Sequence, residues 1–225
     1  MSEVTALVKA IRAIPSTPDE PWNPRVALET FVQHALMSLG IYHVELVAHI
    51  DPKVFAFIPL REKAVAVREV GAAITAYFEA VTASRPFEDV LGRVHAELLA
   101  VKGGEGLGQY FTPYDLCDLI QALATDDRRR HPGASVGRVF DCCCGAGSLA
   151  LAGIRSRLEL ISSHEIRVRA GDIDPVCAAM TALQIHMNQT FHRLPLGEVK
   201  VTVGDELVGP RRCGFWSASP SYCHW

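Results

Sequence analysis

Two glycines and three acids are the residues of this chain whose types and spacing are best suited to chemistry. Asp141 opens the run DCCCGAG, which places Gly145 and Gly147 in a Gly-x-Gly turn directly after a short apolar segment. Without a Cβ, both positions let the backbone take positive φ and let a ligand lie against the main chain. Asp172 follows a second strand-like run, 165–170, and Asp205 a third, 199–203. A carboxylate at the end of the second strand of such a unit accepts hydrogen bonds from ribose hydroxyls, so the spacing points to a nucleotide-like ligand.

The elements that must carry these residues alternate in type. Val136, Val139 and Phe140 mark a strand of buried length, the Gly-x-Gly turn follows, and 149–161 reads as a helix. A second helix is expected over 175–188, with Val176, Ala179, Met180, Leu183 and Met187 on one face. A fourth strand-like run, 213–218, ends in Ser219, Pro220, Ser221 and Tyr222. Strand alternating with helix implies parallel pairing through right-handed crossovers, and hence a doubly wound, Rossmann-like α/β sheet.

Ahead of this unit the chain reads as helical. Val67, Val70, Ile74, Phe78 and Val81 recur at close to a 3.6-residue period within 62–83. Phe87, Val90, Val94, Leu98 and Val101 repeat the pattern over 86–101, with Ser84 as the expected N-cap and Pro86 in the first turn. Between the two halves lies the glycine-rich GGEGLGQYFTP, where Tyr110 and Phe111 are candidate pocket walls. Thr112, Pro113 and Asp115 after them mark a helix start with Thr112 as cap. The expected organisation is a helical N-terminal domain over 1–102 and a ligand-binding α/β domain over 103–225.

Composition narrows the class. With 225 residues and 49% hydrophobic content, the chain can bury a full domain and a smaller one. A net charge of −3 gives no chain-wide nucleic-acid footprint, which leaves only local basic patches such as Arg128–Arg130 and Arg211 with Arg212. Neither a signal peptide nor a charge-free span long enough for a membrane is apparent, so a cytoplasmic protein is expected. Of the seven cysteines, Cys142, Cys143 and Cys144 are consecutive. That spacing suits neither a disulfide framework nor a zinc site, so no metal is expected, and the reading is reduced thiols filling space around the turn.

Taken together, the motifs resemble the amino-methylating DNA methyltransferases, specifically the N-6 adenine modification subunit of type I restriction-modification systems. The resemblance covers 87–222. Its pieces are Asp89, Leu91 and Gly92 in an Asp-x-Leu-Gly core, GQYFTP at 108–113, DCCCGAG at 141–147, GDIDP at 171–175, and Gly204 with Asp205. It implies S-adenosylmethionine as cofactor. Asp141, Gly145 and Gly147 would then flank its methionine moiety, Asp172 would hold the ribose hydroxyls, Ile173 would pack on the adenine, and Asp205 would accept from the adenine amino group. Gln109, Tyr110, Phe111 and Thr112 would close the pocket.

The catalytic motif departs from the family pattern. Members carry Asn/Asp-Pro-Pro-Tyr/Phe, which holds the target amino group and stacks on a flipped base; this chain has Ser219, Pro220, Ser221 and Tyr222. Ser219 is similar to the first residue of the cytosine-N4 enzymes, whereas Ser221 stands where both versions have proline. Of these, Ser219, Pro220 and Tyr222 are the candidate catalytic residues. The family also continues past this motif with further strands, so the resemblance implies a truncated, incomplete sheet. Three readings follow: a DNA amino-methyltransferase, adenine-N6 favoured, that works with a partner; a catalytically silent binding protein that mimics a modification subunit; and a methyltransferase for cytosine-N4 or a non-DNA substrate. A homodimer or heteromeric complex is expected, with DNA reached through a specificity subunit.

Overall fold

The computed structural model describes residues 2–16, 22–38, 66–99, 112–130, 136–204 and 212–218. In chain order these form helices α1 (Glu3–Arg12), α2 (Pro24–Ser38), α3 (Val67–Ala83), α4 (Leu91–Leu99) and α5 (Tyr114–Arg130), then strand β1 (Arg138–Asp141). Helix α6 (Ser148–Leu158), a single 3-10 turn (Ser163–Glu165), strand β2 (Arg167–Asp172), helix α7 (Pro175–Phe191), strand β3 (Glu198–Gly204) and strand β4 (Arg212–Ala218) complete the set.

The sheet order is β1-β2-β3-β4. β1, β2 and β3 pair in parallel, with Val139 beside Val168 and Val168 beside Val199. Their inward row, Val139, Val168, Ala170, Val199, Val201 and Val203, is buried against α6 and α7. β4 breaks the expected parallel rule: it runs antiparallel to β3, with Gly204 opposite Arg212 and Val199 opposite Ala218. The connection 205–211 has seven residues, whereas a parallel crossover needs a dozen or more. A direct return along β3 is what that length permits.

The helical N-terminal half does not stand apart. One apolar cluster runs from Leu7, Ile11, Phe31 and Tyr77 through Phe87 and Leu91 to Met180, Leu183 and Val201, and both α2 and α3 lie against α7. The Phe31 and Tyr77 rings meet edge-on, with centroids 5.7 Å apart. The expected 102/103 boundary falls outside the described residues. No helix among the described residues is long and apolar enough to cross a membrane.

Two helix starts differ from expectation. α4 begins at Leu91 rather than near Pro86, and Ser84 is instead the extended residue that ends α3. Phe87, in the turn between them, has φ 56°, a left-handed conformation that costs a non-glycine residue about 1–3 kcal/mol. It is held there on both sides: its N–H donates to Asn188 Oδ1 and its carbonyl accepts from Arg155 at 2.5 Å, while its side chain is fully buried. At α5, the Pro113 carbonyl takes the first intrahelical bond, from Cys117 N–H at 3.0 Å, so the cap is one residue later than Thr112.

Candidate cofactor site

The site is built where β1 and β2 end side by side. After Asp141 the chain turns through Cys142–Gly147 into α6, with Gly145 at φ 54° and Gly147 at φ 98°. A Cβ on Gly147 would lie 2.9 Å from Thr181 Oγ1, so both conformation and space demand glycine there. Cys144 N–H donates to the Gly171 carbonyl at 2.9 Å, which ties the turn to β2.

Asp172, at the tip of β2, faces this turn. Its Oδ2 accepts from Gly145 N–H at 2.8 Å and its Oδ1 from Asp174 N–H at 2.9 Å. Each carboxylate oxygen keeps a second lone pair for a ligand. Beside it, Ile173 is 67% exposed despite being a large aliphatic residue. Asp174 then caps α7: its side chain accepts from Val176 N–H at 2.9 Å, and Pro175 takes the first helical position. Arg25 of α2 reaches the same buried carboxylate at 2.7 Å.

Asp141 lies on the other side of the turn. Burial, followed by the charge of Asp172, pushes its carboxyl above the usual carboxylate range, and N–H groups of Cys143 and Ala150 partly offset this. An acid in this setting gains from the arrival of a cation.

A polar brace behind the turn was missed in the sequence. Thr181 donates to the Gly145 carbonyl at 2.9 Å, and Gln184 Nε2 donates to the Ala146 carbonyl and to Asp89 Oδ1, each at 2.8 Å. Asp89 also accepts from Ser148 Oγ and from Gly92 N–H. Its carboxylate fills the space that a side chain on residue 92 would need, which explains the glycine of the Asp-x-Leu-Gly core. Gln184 Oε1 in turn accepts from Val90 and Leu91 N–H at 2.8 and 3.0 Å. The available signal was the row Thr181, Gln184, Asn188, three polar residues at helical spacing along one face of the helix.

The structure thus brings together Asp141, Gly145, Gly147, Asp172 and Ile173. Thr112 is half-buried just before α5, a helix that packs on α6. Gln109, Tyr110, Phe111, Asp205, Ser219, Pro220 and Tyr222 lie outside the described residues. The three neighbouring cysteines do not share one role: Cys144 is buried, with a thiol that burial pushes up, whereas Cys143 is exposed.

The profile of the N-6 DNA methylase family matches residues 87–213, more than half of the chain. The chain belongs to the N-6 DNA methylase family. Its fold is similar to that of a Listeria monocytogenes protein whose crystal structure is described as a class I S-adenosylmethionine-dependent methyltransferase, with a TM-score of 0.52 at 12% identity. That likeness covers 93% of this chain and 55% of the other, so the chain spans little more than half of that protein's length. No curated protein matches the chain. The Asp89 core lies inside the family match, so the brace behind the turn belongs to the family region as much as the turn does.

Proposed function

We propose that the chain binds S-adenosylmethionine and is the cofactor-holding part of a DNA amino-methyltransferase, adenine-N6 favoured, of type I modification-subunit character. The observation that carries this reading is the glycine turn fixed between Asp172 and the Thr181–Gln184 brace, within a chain of the N-6 DNA methylase family. The residues present fit the cofactor. Asp172 has lone pairs left for two ribose hydroxyls, Ile173 offers an exposed apolar surface to an adenine, and Asp141 is a half-buried acid suited to the positively charged methionine end.

When bound, the cofactor supplies an electrophilic methyl group. The protein's part is position: the turn fixes where the methionine end lies, and a base nitrogen must reach it in line. A partner completes the assembly. Leu116, Leu119, Ile120 and Leu123 form an exposed apolar stripe on α5, and β1 is an edge strand among the described residues; soluble proteins normally cover both.

One observation favours the second reading, a catalytically silent binding protein: Ser219 and Ser221 stand where the family's motif has Asn or Asp and proline.

Isothermal titration with S-adenosylmethionine, followed by radiolabelled methyl transfer to mixed DNA with and without candidate specificity subunits, separates the readings. Nucleoside chromatography distinguishes N6-methyladenine from N4-methylcytosine. Binding with transfer in the presence of a subunit supports the first reading, and binding without transfer under any condition supports the second. A folded protein that fails to bind at millimolar cofactor overturns both.

A further inference from the structure

Arg25 stands at the end of α2 that suits a cation least. It is the second residue of that helix, where unpaired N–H groups and the positive end of the dipole disfavour positive charge. The backbone is pinned there: Asn23 Oδ1 accepts from the Arg25 N–H at 2.9 Å, and Ala27, Leu28 and Phe31 behind it are buried. The side chain leaves its own helix and meets Asp174, 149 positions away, at 2.7 Å. The place of this charge is explained by its partner, not by its helix.

Asp174 is a demanding partner. Its side chain is 2% exposed, and a carboxylate at that depth is stable only with its oxygens satisfied. Oδ1 accepts from Val176 N–H at 2.9 Å as the cap of α7, and Oδ2 takes Arg25. His95 of α4 is near enough to feel both charges, yet burial, then Arg25, pushes its imidazole down to about 4. At neutral pH the cation that meets Asp174 is therefore Arg25. The backbone N–H of Asp174 donates to Asp172 Oδ1 at 2.9 Å, and Asp172 Oδ2 accepts from Gly145 N–H at 2.8 Å. Because side chain and N–H of Asp174 belong to one short turn, a shift of its carboxylate moves the donor that orients Asp172.

We infer that Arg25 is a positioning residue of the cofactor site: by holding the Asp174 carboxylate it fixes the N–H that aims Asp172, and with Asp172 the glycine turn. The identity of the ligand rests on the proposed function; the linkage itself rests on the three contacts. The sign of the effect separates this role from a plain charge effect. S-adenosylmethionine brings a positive methionine end, so loss of a nearby cation would by charge alone tighten its binding. Loss of a positioning residue weakens it.

The test pairs isothermal titration of the full chain with S-adenosylmethionine and amide hydrogen exchange of the ligand-free protein. Arg25→Gln should weaken binding about tenfold, on the scale seen when the partner behind a liganding residue is removed. Arg25→Lys, which keeps the charge, should recover most of the affinity. Without ligand, Arg25→Gln should speed exchange at the Gly145 and Asp174 amides while Val168, buried in β2, keeps its protection, the mark of a local opening. The same pattern is expected of R25Q/D174N, which leaves no buried charge unpaired and so carries the test where Arg25→Gln alone does not fold.

Unchanged or tighter binding by Arg25→Gln would overturn the inference. So would weaker binding with wild-type exchange at Gly145 and Asp174, which would put Arg25 on the ligand itself, or faster exchange at Val168 as well, which would make its role purely structural. A folded wild type that binds no cofactor removes the proposed function. Faster exchange confined to Gly145 and Asp174 in Arg25→Gln would then still show that Arg25 sets the turn, and unchanged exchange would overturn that as well.

Discussion

The backbone N–H of Gly145 donates to the carboxylate of Asp172 across 2.8 Å, joining two residues that are 27 positions apart. The acid expected to hold a ribose is therefore also a brace for the turn that faces the methionine end. Arg25 extends the chain of contacts: it pairs with Asp174, whose N–H holds the other Asp172 oxygen. A side chain from the N-terminal helices is thus three contacts away from the glycine turn.

Because Asp172 has both tasks, its substitution should show two effects. Asp172→Ala is expected to weaken S-adenosylmethionine binding by about 1–3 kcal/mol, and to lower stability by a similar amount because Gly145 and Asp174 lose their acceptor. Asp172→Asn keeps an acceptor oxygen for one of the two N–H groups and should recover much of the stability but not the affinity. Titration calorimetry and urea unfolding check the two effects separately. Loss of affinity with unchanged stability would show that the turn does not need this brace.

Asp89 makes the sharper case for a structural role. It is buried and accepts from Ser148, Gly92 and Gln184, so Asp89→Ala strands three donors at once and should cost about 3 kcal/mol or more. Asp89→Asn leaves the shape but places an amide among donors, and it should be intermediate. Urea midpoints measure the order; an Asp89→Ala variant within 1 kcal/mol of wild type, on the order of a surface substitution, contradicts it.

What could be read in the sequence was local. Asp141, Gly145 and Gly147 sit within one turn, and Asp172 with Ile173 ends one strand, so type and spacing were enough to place them. The brace was not legible, because Gln184 meets Asp89 across 95 positions and no local pattern carries that distance. Pro86 promised a helix start, but Phe87 takes a left-handed conformation secured by Asn188 and Arg155, which are contacts made only in the folded protein. The antiparallel course of β4 was legible in principle: seven residues between strands cannot form a crossover, and the strand–helix alternation outweighed that length.

His95 gives a pH dependence of known sign. Burial, then the nearby Arg25 charge, pushes its imidazole down to about 4, against a smaller opposing effect of Asp174. The unfolded chain takes up a proton near pH 6.5 and the folded one only near 4, so stability falls as pH drops through that window. The loss should approach about 3 kcal/mol at its lower end. His95→Gln removes this contribution, and the difference in unfolding free energy between wild type and variant should shrink as pH falls from 7 to about 4, on the linkage argument above. A difference that is constant with pH would mean that His95 titrates alike in both states.

Asp141 should couple cofactor binding to pH, and its effect on the stability of the ligand-free protein is opposite in sign to that of His95. Its folded carboxyl titrates above the ordinary value, chiefly because of burial and secondarily because of Asp172. Without a ligand, the folded protein therefore binds this proton more tightly than the unfolded chain does, and stability declines as pH rises through the interval between the two values. A cationic ligand reverses the preference, since it favours the ionised carboxylate that burial disfavours. Affinity for S-adenosylmethionine should rise with pH across the Asp141 titration and level off above it, with proton release on binding in the acidic part of the range. Calorimetry in two buffers of different ionisation enthalpy reads that release directly. Asp141→Asn should flatten this part of the profile while binding more weakly at neutral pH. If the variant keeps the wild-type profile and proton release, the cation does not lie against Asp141, and the methionine end must be placed elsewhere along the turn.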